Sequence, residues 1–152
     1  MIVISPAQSR QIIEAAEAAY PEECCGLVVG RVRGDGDIEV TSIAPSRNVA
    51  SDDAGAPRRR DRFEVDPELR FALMRETEGT DLAIVGHYHS HPDHPPGPSA
   101  HDLASCFELE LVWLIVAVEK GRAGEITAHR LDEKAGQFRA IPLQTGASGS
   151  GP

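Results

Sequence analysis

Apolar residues run through this chain in two rhythms, and each change of rhythm marks an element. Ile2 to Ile4 is a short apolar run that predicts a strand. From Ser5 the spacing lengthens: Ile12, Ala16, Ala19 and Tyr20 recur at i, i+4, i+7 and i+8, the stripe of a helix laid on a core. Ser5 is placed to cap that helix, with Pro6 at its first position and Gln8 completing a capping box, and Pro21 ends it. The segment from Glu22 to Val32 passes from acidic to apolar and predicts a buried strand. Gly34-Asp35-Gly36-Asp37 signals a turn, and the β-branched stretch Ile38 to Ile43 returns as the second arm of a hairpin.

Periodicity then lapses. Residues 45–62 read as loop, and the run Arg58-Arg59-Arg60 is either a solvated surface or a contact for an acidic partner. Phe63 to Val65 suggests a short strand. Asp66 and Pro67 predict the cap and first residue of a second helix, which Gly79 stops. Its Leu69, Ala72, Leu73 and Glu76 share a face, the glutamate breaking the apolar pattern. Asp81 to His91 is the next strand, apolar enough at Leu82, Ile84 and Val85 to lie centrally in a sheet. Pro92 to Pro98 holds four prolines and a glycine and is a constrained loop, with a helix following from about Ser99 to Phe107. Leu111 to Val118 is an unbroken apolar run, the mark of a fully buried strand. Two more strands, Glu125 to Leu131 and Gln137 to Leu143, predict a terminal hairpin, and the Gly/Ser-rich end from Thr145 reads as disordered. No internal repeat is present. The expectation is an α/β (α+β) fold: one domain over residues 1–143, a single sheet with helices packed against it, and a flexible tail over 144–152.

Composition narrows the function. The 152 residues suffice for one domain with a real core, and 41% hydrophobic with 26% charged residues is ordinary for a soluble protein. A net charge of −9 argues against nonspecific nucleic-acid binding, which needs a basic face. No apolar run approaches the ~18 residues of a membrane span. The N-terminus lacks a basic region followed by an apolar stretch and cleavage site, so the chain is expected to be cytoplasmic. Three cysteines, Cys24 and Cys25 adjacent, make a poor disulfide framework, and with no C-x-x-C a cysteine-rich zinc site is not expected.

The candidate chemistry lies in Gly86-His87-Tyr88-His89-Ser90-His91-Pro92 and, beyond the proline-rich loop, in Ser99 and Asp102. A strand sets residues i and i+2 on one face, so His89 and His91 can converge on one point. They are equally readable as ordinary histidines on a strand. Ser99-x-x-Asp102 carries a double reading too, as a helix cap with an acid in the first turn or as a source of a third ligand. The readings are compatible, because a helix N-terminus favours the ionised aspartate that a metal requires. Two imidazoles and a carboxylate suit Zn²⁺ with one position open for water, and a nearby carboxylate could then shuttle a proton. Glu22 and Glu23 are the best-placed acids for that role, or else a solvated pair closing a helix–strand turn.

Taken together, Glu23-x-Cys25-Gly26, then His89-Ser90-His91-Pro92, then Ser99-x-x-Asp102 resembles the JAMM (MPN+) zinc metalloprotease family in a compact prokaryotic form. The seven residues Pro92 to Pro98 match its spacing, and the likeness extends in element order over residues 1–143. The resemblance implies a mixed sheet flanked by helices, related to cytidine deaminases, although the deaminase signature H-x-E with P-C-x-x-C is missing. It implies His89, His91 and Asp102 as zinc ligands, Glu23 as general base, and Ser99 as a hydroxyl that helps hold the oxyanion. Departures are His87, where many relatives carry Trp, and His94 and His101, which are either second-layer groups, competing ligands or exposed histidines. Cys25 is the family cysteine and Cys24 an extra one. Neither is expected to be a nucleophile, since a buried strand start raises a thiol's pKa.

Relatives cleave peptide or isopeptide bonds after the C-terminal Gly-Gly of ubiquitin-like proteins. The short path from Asp102 to the next strand leaves no room for the insertions of deubiquitinating members. By analogy of fold family, the expected substrate is a ubiquitin-like or sulfur-carrier protein. A zinc hydrolase of small peptides or amides is the rival reading, and so is a noncatalytic scaffold, against which the complete residue set weighs.

Overall fold

A computed structural model of the chain describes residues 1–51, 54–55, 59–94, 111–132 and 134–146. In chain order the elements are β1 (Ile2–Ile4), α1 (Pro6–Ala19), β2 (Cys25–Val32), β3 (Ile38–Ser46), α2 (Pro67–Thr77), β4 (Ala83–Pro92), β5 (Val112–Glu119), β6 (Arg122–Asp132), β7 (Gln137–Ile141) and β8 (Leu143–Thr145). Among the described residues the strands form one mixed sheet in the order β7-β6-β5-β4-β2-β3-β1-β8. Pairs β2–β3, β2–β4, β5–β6 and β6–β7 are antiparallel, while β4–β5, β1–β3 and β1–β8 are parallel. No helix among these residues is long and apolar enough to cross a membrane.

The start of α1 is built as its local chemistry dictates. Ser5 Oγ accepts from the Gln8 N–H at 3.1 Å, and Gln8 Oε1 accepts from the Ser5 N–H at 2.9 Å, a complete capping box with proline at the first position. Ile12 and Ala16 turn down onto one sheet face and join Ile4, Val28, Tyr88, Leu114 and Val116 in the main core. On the opposite face Leu27 and Val29 meet Leu73 of α2, with Leu69, Ala44 and Ile84 packed around them.

Four expectations are corrected. In α2 only Leu73 is buried and Leu69 half-buried, whereas Ala72 and Glu76 are exposed. The helix rests on the sheet along a narrow line, and Ala72, about 100° round the axis from Leu73, turns away. Phe63 to Val65 is not a strand: Val65 alone bridges Asn48. Nor is Gln137 to Leu143 one strand. Pro142 has no N–H to continue a ladder, and the chain breaks there into β7 and β8. Those two strands lie at opposite ends of the sheet order, yet a single residue joins them. With Cα atoms 3.8 Å apart along a chain, the edges must approach to within ~7 Å. The sheet is therefore curled until Pro142 spans its two edges, and the Pro142 carbonyl accepts from the Ile2 N–H at 2.9 Å. Finally, Gln144 and Thr145, assigned to the tail, pair with Val3 and Ile4, and the Gly146 N–H reaches the Ile4 carbonyl. The expected helix from Ser99 to Phe107 and the tail from residue 147 lie outside the described residues.

Tyr88 is the largest fully buried side chain in the core, and its hydroxyl makes no hydrogen bond among the described residues. Burial pushes its phenol pKa well up. A buried hydroxyl without a partner carries a desolvation cost that no bond offsets. Tyr88→Phe should therefore be neutral or stabilising by about 1 kcal/mol in urea unfolding. A loss of that size instead would show that the hydroxyl has a partner.

Candidate functional site

β4 carries the site because it lies between β2 and β5 and is buried on both faces. Strand alternation sends Tyr88 into the main core and His87, His89 and His91 to the other face, while the register shift between Gly86 and Ile84 brings Val85 to the core face as well. His89 is fully buried and His91 nearly so, and their Nε2 atoms lie 3.1 Å apart. Two bonds of ~2.0–2.1 Å to one tetrahedral ion would set such nitrogens ~3.3 Å apart, so the pair is spaced as two ligands of one metal.

The rings are held by aromatic neighbours. Phe63 stacks on His89, with centroids 4.2 Å apart and planes at 15°. Trp113, opposite His87 on β5, presents its edge to His89 at 5.6 Å and to His87 at 4.3 Å. His87 thus packs into this aromatic group and occupies the space beneath the site.

Glu23 reaches the same face through the β2–β4 pairing. Cys25 lies opposite His89, and Cys24 continues the register: its carbonyl accepts from the Ser90 N–H at 3.2 Å. The Ser90 hydroxyl in turn accepts from the Cys24 N–H at 2.8 Å. Glu23 lies two residues before Cys25 and is itself buried, 6% exposed. Its peptide is tied on both sides, the N–H to the Arg59 carbonyl and the carbonyl to the Asn48 amide. Arg59 also pairs with Glu22 at 3.1 Å, so this part of the arginine run braces the segment before β2 rather than standing free in solvent.

Ser99, Asp102 and His101 lie outside the described residues, and Arg58 does too. Among the described residues no group of three or more metal-ligating side chains occurs. His94 lines a polar cleft of about 540 Å³ at the end of β4, with Glu22, Arg59, Arg60, Asp61 and Asp93. Asp93 adopts a positive φ of 57° there. Its carboxylate accepts from the Lys120 N–H at 2.9 Å and the Tyr20 hydroxyl at 2.6 Å. Those bonds hold the Asp93 carboxyl below the usual carboxylate range. Burial pushes the Cys24 thiol up to about 11 and the Cys25 thiol up to about 12, which disfavours the reactive thiolate at both.

Sequence reasoning missed Phe63, Trp113 and Asn48 as parts of this neighbourhood, and it quoted Ser90 within the motif without giving it a role. Ser90 did carry a signal, since a hydroxyl between two histidines falls on the core face of a central strand and needs a partner there.

The comparisons with known proteins agree with this architecture. The family described as prokaryotic homologs of the JAB domain matches residues 6–132. A desampylase of Haloferax volcanii is 34% identical over 117 residues, 76% of this chain and 74% of the relative. The tail tip assembly protein K of Escherichia phage N15 is 36% identical over 110 residues, 72% of this chain but only 38% of that longer protein. Among solved structures, a protein of Desulfitobacterium hafniense superposes with a TM-score of 0.80 at 24% identity, covering 97% of this chain and 94% of that one. A JAB1/MPN domain protein of Archaeoglobus fulgidus superposes at 0.56 with 16% identity, covering 97% and 98%. With its mixed sheet and, among the described residues, two flanking helices, this chain belongs to the prokaryotic JAB-domain family, a compact member of the JAMM/MPN fold.

Proposed function

We propose that this chain is a zinc-dependent isopeptidase that cleaves after the C-terminal Gly-Gly of a ubiquitin-like or sulfur-carrier protein. The observation that carries the reading is the 3.1 Å approach of the two buried imidazole nitrogens, with the buried Glu23 two residues before Cys25, the partner of His89. The similarity to a desampylase supports the reaction class and the kind of substrate.

In this reading His89 and His91 would hold zinc, and Asp102 would complete the protein ligands. When bound there, zinc supplies Lewis acidity and lowers the pKa of water to ~7. Glu23 takes the proton from the attacking water and later delivers it to the leaving amine, becoming neutral between the two steps. The Ser99 hydroxyl donates to the oxyanion as the carbonyl becomes tetrahedral, a contribution of ~10²–10³ in rate. Ser90 holds its hydroxyl against the Cys24 peptide, which fixes the register between Glu23 and the histidines.

The test is direct. The protein is incubated with carrier proteins bearing a Gly-Gly-linked leaving group, with and without a chelator, and products are read by mass spectrometry. Cleavage after the second glycine that chelation abolishes and zinc restores is the expected result. Absence of stoichiometric zinc, or cleavage that ignores the chelator, overturns the metal reading. Cleavage of short peptides with intact carriers untouched would move the assignment to a small-peptide hydrolase.

A further inference from the structure

Asn48 belongs to none of the motif residues and lies in the stretch that reads as loop. Its side chain nevertheless makes four hydrogen bonds. Nδ2 donates to the Glu23 carbonyl at 3.1 Å and to the Arg62 carbonyl at 2.9 Å. Oδ1 accepts from the Ala50 N–H and the Glu64 N–H, each at 3.0 Å. A primary amide has two N–H donors and two oxygen lone pairs, so its capacity is filled. The Asn48 backbone is anchored as well, through its bridge to Val65.

These partners converge on the site. Arg62 and Glu64 are the two neighbours of Phe63, so one side chain pins the peptides on both sides of the ring that stacks on His89. Of the other two partners, Ala50 is local and Glu23 is the site residue, whose N–H is held by the Arg59 carbonyl, so both backbone polar groups of Glu23 are fixed. We propose that Asn48 is a positioning residue that locks Glu23 and the His89 stacking partner Phe63 into one frame. The proposal rests on the roles given to His89 and Glu23 above. Its physical basis is that a displacement of ~1 Å in a reacting group can cost ~10²-fold in rate.

Asn48→Asp tests it. The variant keeps size and the Oδ1 acceptor but turns an oxygen toward the Glu23 and Arg62 carbonyls. On a Gly-Gly-linked carrier fusion, kcat should fall about 10–100-fold with KM near the wild-type value. In the full chain without added metal, NMR should show the His89 ring protons, shielded by Phe63 in the wild type, moving toward the shifts of an unstacked histidine. A merely structural Asn48 would lower the folded fraction yet leave the His89 shifts of the folded protein in place. Unchanged shifts, or changed shifts with full kcat, overturn the proposal. Phe63→Leu, which leaves the Asn48 bonds intact, should release the same His89 shifts and decides the Phe63 arm if Asn48→Asp does not fold; shifts that stay put there also overturn it. If the wild type cleaves no carrier fusion, the functional reading falls, and the metal-free NMR comparison alone decides the positioning role.

Discussion

Glu23→Gln should retain stoichiometric zinc and lose turnover by about 10²–10⁴-fold. The substitution is nearly isosteric and removes the carboxylate's charge and with it the ability to accept a proton. The backbone contacts survive the change: Arg59 and Asn48 bond to the Glu23 main chain, and Ser90 holds the next residue through its backbone. A loss of activity with zinc content and unfolding midpoint unchanged therefore isolates the proton transfer. Single-turnover kinetics on a Gly-Gly-linked carrier is the measurement. A Gln variant that cleaves at the wild-type rate removes Glu23 from the mechanism, and the search for a base would move to Glu22 and the polar cleft beside it.

A large effect on stability is expected of Gly26→Ala. A Cβ at Gly26 would fall on the Tyr88 ring, at its Cε1, Cζ and Oη atoms. Tyr88 is fully buried and cannot swing away, and β2 is fixed to β3 on one side and β4 on the other. Overpacking of this kind costs roughly 1–3 kcal/mol and sometimes more, a large share of the ~5–15 kcal/mol that holds a domain folded. Urea unfolding should show Gly26→Ala at the upper end of that range. Because the clash is with one ring, the cost should shrink when Gly26→Ala is made in a Tyr88→Leu background, where the space has opened. Equal cost in both backgrounds would mean that strand pairing, and not the ring, demands the glycine. Tyr88 lies between His87 and His89, so the glycine beside Cys25 is read most simply as the space that lets β4 present its histidines.

Much of this was legible because it is local. The capping box at Ser5 and Gln8 needs only neighbouring residues, and so does the Asp66 cap, whose Oδ1 accepts from the Glu68 N–H at 3.0 Å. The histidine pair was legible because alternation along a strand is a two-residue rule. What escaped depends on contacts across the chain. Asn48 bonds to Glu23 through a side chain, 25 residues away in sequence, and such a bond leaves no periodic trace. Phe63 read as the start of a strand, yet it is a loop ring laid on His89, and the scarcity of aromatics, 5% of the chain, was the clue available. Pro142 was visible as a residue that cannot join a ladder. That it switches the chain from one edge of the sheet to the other follows only from the curl, which no local pattern encodes.

The curl also has a kinetic consequence. β1 lies between β3 and β8, so the pairing of Ile2 with Leu143 closes a loop of about 140 residues, among the entropically dearest contacts the chain can make. Contacts of such separation raise contact order and slow folding. The hairpins β2–β3 and β6–β7 can form early from neighbouring segments, whereas β8 can find its place only after β1 and β3 have met. A newly made chain would thus hold the inner edge of β1 paired and its outer edge open until the last strand arrives.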